Sequence, residues 1–147
     1  MLKGIPSILS PELLKTIAEM GHGDELVIGD CNFPAAAMNT RCIRADGHRA
    51  TGLLDALLKL FPLDSFVECP VSFMAVTPGT FEGDPPIWED YREIIKNYDS
   101  DAGIEYVERF AFYERAKKAF AVVQTGEQAL YACIILKKGV LIEDGEN

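Results

Sequence analysis

The hydrophobic positions along this chain follow two periods, one typical of helices and the other of strands. From residue 13 to residue 20, apolar side chains recur at helical spacing. Ser10, Pro11 and Glu12 before them are typical of a helix N-terminus, and Gly21 is predicted to cap the other end. The short apolar run over 26–28 predicts a buried strand. The same reasoning predicts helices over 51–61, 87–97 and 110–120, and strands over 40–45, 71–76, 104–107, 121–123 and 130–136.

Helices that alternate with strands in this way predict an α/β fold. The chain has 147 residues, 48% of them hydrophobic, and contains no internal repeat or evident linker. A chain of this length buries roughly 68–70% of its unfolded surface, so a core can form without a metal or a disulfide. We therefore expect a single layered α/β/α domain with a central sheet over residues 1–147.

Charge and cysteine content exclude several functional classes. The net charge of −9 argues against nucleic acids and anionic membranes as partners. No apolar run is long enough to span a bilayer, and the N-terminus does not read as a signal peptide, so we expect a cytoplasmic protein. The four cysteines are widely spaced and form no CxxC pair, which favours reduced thiols over a metal site or a disulfide framework.

Of the two histidines, only His22 is placed for chemistry. It stands between Gly21 and Gly23, which free the backbone and leave the imidazole room to reach a ligand. Histidine is well suited to proton transfer near neutral pH, although a loop histidine often has no such role. Asp30 follows the next strand, either as a functional carboxylate or as an ordinary turn residue. His48 is expected in an exposed turn.

An aromatic-rich segment around Arg109 is the second candidate for chemistry. Phe112, Tyr113 and Tyr131, and also Trp88, fit either a core or the wall of a sugar pocket, where rings cover apolar C–H faces. Arg109 fits either a ligand contact or a surface ion pair. The sequence has no phosphate-binding loop, no GxSxG or HExxH motif and no dinucleotide fingerprint, so we expect neither a cofactor nor a metal.

Several short segments, in their order and spacing, resemble the small sugar mutarotase family that includes L-fucose mutarotase and D-ribose pyranase. The resemblance covers almost the whole chain, through LKGI (2–5), SPELL (10–14), EMGHGD (19–24), NFP (32–34), IRADG (43–47), RFAFYERA (109–116), TGE (125–127) and LKKGV (136–140). The stretch RFAFYERA is typical of the fucose branch. Within the family, the chain therefore resembles the fucose mutarotases most.

This resemblance implies a fold of the ribose pyranase and fucose mutarotase type, an assembly and a set of site residues. It implies that His22 is the acid/base residue. The residues implied to bind the sugar are Asp30, Arg109, Tyr131, Ala132 and Cys133. It further implies that Tyr131 comes from a neighbouring subunit, and that the protein is a homo-oligomer, a decamer of two pentameric rings with sites at subunit interfaces.

Cys133 departs from the family pattern. Members of the family usually have Tyr-Gly-Asn or Tyr-Ala-Asn at this place, whereas this chain has Tyr131-Ala132-Cys133. A thiol is a poor replacement for an amide, which offers a carbonyl acceptor and two N–H donors. We expect a working site with altered affinity or rate.

The implied activity is interconversion of the α and β anomers of L-fucose, by acid/base ring opening and reclosure, in support of fucose utilisation. His22 is expected to move one proton and Asp30 to orient it, while Tyr131 or water serves the other oxygen. Alternatives are a non-catalytic sugar-binding protein or a mutarotase of ribose or another monosaccharide. A metal-dependent hydrolase built from His22, Asp30, Cys31 and His48 has no recognised ligand spacing.

Overall fold

A computed structural model describes residues 1–143, and within them the chain forms five helices and six strands. The helices are α1 (Pro11–Glu19), α2 (Ala35–Met38), α3 (Ala50–Leu58), α4 (Pro86–Tyr98) and α5 (Arg109–Lys118). The strands are β1 (Glu25–Gly29), β2 (Cys42–Ala45), β3 (Val71–Met74), β4 (Ile104–Val107), β5 (Ala121–Thr125) and β6 (Ile134–Lys137). The last four residues of the predicted domain, 144–147, lie outside the described residues.

The six strands form one mixed sheet in the order β2-β5-β1-β6-β3-β4. Five of them are parallel to one another, while β6 runs antiparallel between β1 and β3. In register, Val27 of β1 faces Ile135, and Phe73 of β3 faces Ile134. The carboxyl ends of the five parallel strands therefore meet at one edge of the sheet, where β6 begins.

Helices cover both faces of this sheet, which confirms the predicted α/β/α layering. Because strand side chains alternate between faces, Leu26 and Ile28 pack with α1, α3 and α4, whereas Val27 packs with α2 and α5. α1 begins as predicted, and the Ser10 hydroxyl accepts a hydrogen bond of 3.1 Å from the Leu13 N–H. No helix within residues 1–143 is both long and apolar enough to cross a bilayer.

Two local predictions are wrong, and one short helix was not predicted. The strand predicted over 130–136 begins only at Ile134, because Tyr131 has a left-handed backbone with a φ of 58° that interrupts extended structure. Gly21 does not cap α1: the helix ends at Glu19, and the positive φ, 85°, belongs to Gly23. α2 has no predicted counterpart, since four residues are too few for helical periodicity to be visible.

Candidate functional site

Five of the predicted site residues meet where the parallel strands end. Asp30 follows β1, Arg109 and Tyr113 lie in α5 after β4, and Tyr131 and Cys133 precede β6. They surround a cavity of about 380 Å³, which we call the carboxyl-edge cavity. Its complete lining is Asp30, Asn32, Phe33, Met74, Thr77, Thr80, Arg109, Tyr113, Leu130, Tyr131 and Cys133. Ligands of open α/β sheets bind in the crevice outside the carboxyl ends of the strands, which is where this cavity lies.

Asp30 provides the carboxylate of this cavity. One oxygen accepts a hydrogen bond of 3.0 Å from the Asn32 N–H. Burial raises the pKa of Asp30, against the hydrogen bonds from Asn32 and from the Cys133 thiol. Burial also raises the pKa of Cys133, so its thiol is neutral beside the carboxylate. The tight turn into Asp30 requires Gly29, where a Cβ would lie 2.7 Å from the Phe33 ring.

The N-terminal turn of α5 provides a guanidinium and a phenol. Glu108 caps this helix by accepting from the N–H groups of Phe110 and Ala111, at 2.9 and 3.1 Å. Arg109 and Tyr113 are one helical turn apart, and the Arg109 Nε donates to the Tyr113 hydroxyl at 3.1 Å. The helix thereby presents both groups to the cavity as one unit.

Tyr131 provides the second phenol. Its hydroxyl accepts from the Thr77 N–H at 3.1 Å and is also hydrogen-bonded to Thr80. The hydrogen bond with Thr80 and that from Thr77 lower the pKa of Tyr131, and the nearby charge of Arg109 acts in the same direction. Tyr131 lines the same cavity as Asp30 and Arg109 of its own chain. Its expected contribution to a neighbouring subunit's site stays a prediction.

His22 lies at the opposite edge of the sheet, before β1. The five residues of β1 span roughly 16 Å at strand geometry, so His22 does not contact Asp30 within one chain. Its Nε2 instead lies 3.1 Å from Oδ1 of Asp64. Asp64 is buried, and its carboxylate also accepts from the Phe66 N–H at 3.0 Å. Burial opposes ionisation of Asp64, but the hydrogen bonds from Phe66 and His22 lower its pKa overall.

Asp64 is a site residue that sequence reasoning missed. It is 42 positions from His22 and follows an apolar run without any motif, so no local signal identifies it. The bridge between Leu63 and Lys138 brings this loop against the Gly21–Gly23 turn, where the Gly23 N–H donates to the Lys138 carbonyl at 2.8 Å. His22 and Asp64 thus form a histidine–carboxylate pair outside the carboxyl-edge cavity.

The His22–Asp64 pair stands beside apolar surface. A groove of about 440 Å³ runs next to His22, lined mainly by apolar residues that include Leu14, Ile17, Leu60, Val140 and Leu141. Phe66, whose ring centroid is 5.4 Å from that of His22, is 70% exposed, and Leu141 is 84% exposed. Large apolar side chains exposed in one region are typical of a surface that another protein covers.

The remaining candidates lie elsewhere. Phe112 and Trp88 are buried in the two cores and do not line the cavity. Ala132 is also buried, and its carbonyl accepts from the Tyr91 hydroxyl at 2.7 Å. His48 is exposed, as expected. Within residues 1–143 no three His, Cys, Asp or Glu side chains are grouped for metal binding, so the alternative hydrolase site is not assembled.

The layered fold and its polar cavity define a small-molecule-binding α/β protein. The chain belongs to the RbsD/FucU transport protein family, whose model matches residues 3–141. It is 55% identical to the fucose mutarotase of Danio rerio, over 96% of this chain and 95% of that protein.

Solved structures agree with this family. The fucose mutarotase of Streptococcus pneumoniae, crystallised with L-fucose, is 50% identical with a TM-score of 0.90, over 96% of this chain and 100% of that one. RbsD of Bacillus subtilis, solved with D-ribose, is 26% identical with a TM-score of 0.72, over 97% and 100% of the two chains. The fold and the family predicted from the sequence are confirmed.

Proposed function

We propose that this protein is a cofactor-free sugar mutarotase that interconverts the α and β anomers of L-fucose. The observation that carries the proposal is the carboxyl-edge cavity, where a carboxylate, a guanidinium and two phenols converge around about 380 Å³. Pockets of roughly 300–1,000 Å³ with a few convergent polar groups are typical small-molecule sites. The 50% identical relative that was crystallised with L-fucose supports fucose as the ligand.

Mutarotation needs one group to remove the anomeric hydroxyl proton and another to protonate the ring oxygen. The ring C–O bond breaks, the open-chain aldehyde rotates, and the ring hydroxyl adds to the opposite face of the carbonyl. The two protons then return, so no net proton or electron is consumed. Each positioned acid or base contributes about 10²–10⁴-fold. We assign one transfer to His22, with Asp64 orienting its ring, and the other to Tyr131 or a water held by it.

The other residues of the cavity bind the sugar in this proposal. Asp30 accepts hydrogen bonds from hydroxyl groups, and Arg109 donates to them, since its guanidinium has donors only. Tyr113 places an aromatic face and a hydroxyl at the same wall. Cys133 lines the cavity beside Asp30, whereas Ala132 can contribute only through its backbone because its side chain is buried.

A complete site requires two copies of the chain. His22 of one copy and Asp30 of the same copy lie at opposite sheet edges, whereas His22 of a second copy can approach the cavity if subunits pack head to tail. Such heterologous contacts close into rings when the rotation allows it. The apolar surface around Phe66 and Leu141 supports this contact.

We further propose a decamer of two pentameric rings, a cytoplasmic location, a single mutarotase domain and a role in fucose utilisation. The assembly is tested by light scattering, where a decamer has ten times the 16.2 kDa mass of one chain. A stable monomer that retains activity would refute the shared site. Cell fractionation tests the location.

The activity is tested by NMR exchange spectroscopy of anomeric protons with L-fucose, D-ribose and D-galactose. We expect exchange of L-fucose well above the buffer rate, and its loss in His22→Ala. The matched control is His48→Ala, which removes the other, exposed histidine and keeps full exchange. Exchange at the uncatalysed rate for all three sugars would reject the enzyme and favour a sugar-binding protein.

A further inference from the structure

Two aromatic residues on the buried face of α4 hold the backbone that carries Tyr131. The Trp88 Nε1–H donates to the Tyr131 carbonyl at 2.9 Å, and the Tyr91 hydroxyl donates to the Ala132 carbonyl at 2.7 Å. Both side chains are buried, and neither lines the carboxyl-edge cavity. They therefore donate hydrogen bonds to two consecutive peptide carbonyls from the side that faces away from the cavity.

The backbone they hold is a strained one. Tyr131 is the sole non-glycine residue with positive φ within the part of the chain that the structure describes, at 58°. A side chain with a Cβ rarely adopts this region, and such conformations persist only where surrounding contacts fix them. The left-handed turn also determines where the Tyr131 side chain leaves the backbone, and hence the position of its hydroxyl beside Thr77.

We propose that Trp88 and Tyr91 are positioning residues that keep Tyr131 in its left-handed turn and so direct its phenol at the sugar. This inference rests on the proposed function only for the identity of the ligand. Ring packing alone would need no polar atoms, since Phe73 already contacts both rings at centroid distances of 5.7 Å. The indole N–H and the phenol O–H instead both donate to the two consecutive carbonyls of Tyr131 and Ala132.

The donor role of Tyr91 is independent of pH in the working range. Burial raises the pKa of Tyr91 well above its usual range, so its hydroxyl keeps its proton. Its removal leaves the Ala132 carbonyl buried without this donor, which favours a different orientation of the Ala132–Cys133 peptide, directly after the peptide that Trp88 holds.

The test uses Tyr91→Phe, which removes one hydroxyl and keeps the ring. The matched control is Tyr98→Phe on the same helix, whose exposed hydroxyl bonds to Asp55 at 2.7 Å. We expect Tyr91→Phe to raise the KM and lower the kcat for L-fucose, with a combined loss of about three- to tenfold in kcat/KM that corresponds to one neutral hydrogen bond. Tyr98→Phe should leave both parameters unchanged.

Two NMR signals separate positioning from a general loss of stability. The chain has one tryptophan, so the Trp88 indole N–H gives a single resonance that reports its bond to the Tyr131 carbonyl. The Thr77 amide resonance reports the Tyr131 hydroxyl. In sugar-free protein, both should shift in Tyr91→Phe and stay in place in Tyr98→Phe.

The outcomes are distinct. A lower melting temperature in Tyr91→Phe with unchanged KM and unchanged resonances would overturn the proposal and leave Tyr91 a packing residue. If Tyr91→Phe does not fold, Trp88→Phe with the Thr77 signal and KM decides in the same way. A wild type that exchanges no anomers refutes the proposed function, while the two sugar-free resonances still decide whether α4 positions Tyr131.

Discussion

The shared site predicts that two inactive variants restore activity when they assemble together. The His22–Asp64 pair is the histidine half of the site. In His22→Ala, this half is lost and the carboxyl-edge cavity is intact. In Asp30→Asn, the cavity loses its carboxylate and the histidine half is intact. Each variant has lost one half, so no single chain in the mixture holds both. β1 also separates the two halves of a chain by roughly 16 Å, so an active site has to form between two copies.

The size of the recovery follows from random assembly. If each site takes its histidine from one copy and its cavity from a neighbour, about a quarter of the sites in an equal mixture contain two intact halves. Loss of the His22 acid/base group costs about 10²–10⁴-fold. Loss of the charged hydrogen bonds of Asp30 costs about 10–100-fold, so a recovery to about a quarter of wild-type activity stands above either variant alone.

The assay is anomeric exchange of L-fucose after co-expression of the two variants with different tags, with hybrids verified by native mass spectrometry. The matched control mixes His22→Ala with Asp64→Asn. Both of these substitutions affect the histidine half, so their hybrids should gain nothing. Verified hybrids of His22→Ala and Asp30→Asn that stay inactive would refute the shared site.

Three further predictions concern the cavity and the sheet. Cys133→Asn should lower the KM for L-fucose by about three- to tenfold, since an amide adds donors and an acceptor; unchanged kinetics would show that this side chain does not contact the sugar. Arg115→Met should cost about 2 kcal/mol in urea unfolding, because Arg115 joins α5 to Glu25 and Glu105 in a partly exposed network. Hydrogen bonds from Ser72 and then Arg115 lower the pKa of Glu105, so this stabilisation is full above its ordinary value of 4.5 and is lost as pH falls below it. Urea titrations between pH 3 and pH 7, expected to be flatter in Arg115→Met, measure that loss.

Elements with a clear periodic signal could be predicted from the sequence. The strand expected over 104–107 coincides with β4, and the helix expected over 87–97 is α4 to within one residue at each end. The strand order could not be predicted, because pairing depends on which faces pack together. The central position of β6 follows from contacts with β1 and β3, which are far away in sequence.

The site was predictable in part. Asp30, Arg109, Tyr131 and Cys133 share one cavity, as the family resemblance implies. The prediction for the histidine half was incomplete. Asp30 was expected to orient His22, whereas within one chain the carboxylate that contacts His22 is that of Asp64. Local patterns carry no information on which edge of a sheet a loop joins until the strand directions are known.

The position of β6 also has a consequence for how the polypeptide matures during synthesis. β6 is the sixth strand in chain order, yet it separates β1 from β3. Until residues 134–137 leave the ribosome, β1 and β3 each present an unpaired edge, which is a template for aggregation. The nascent chain therefore cannot complete its sheet by folding segment by segment, and chaperone protection of these two edges is most useful in the interval before β6 emerges.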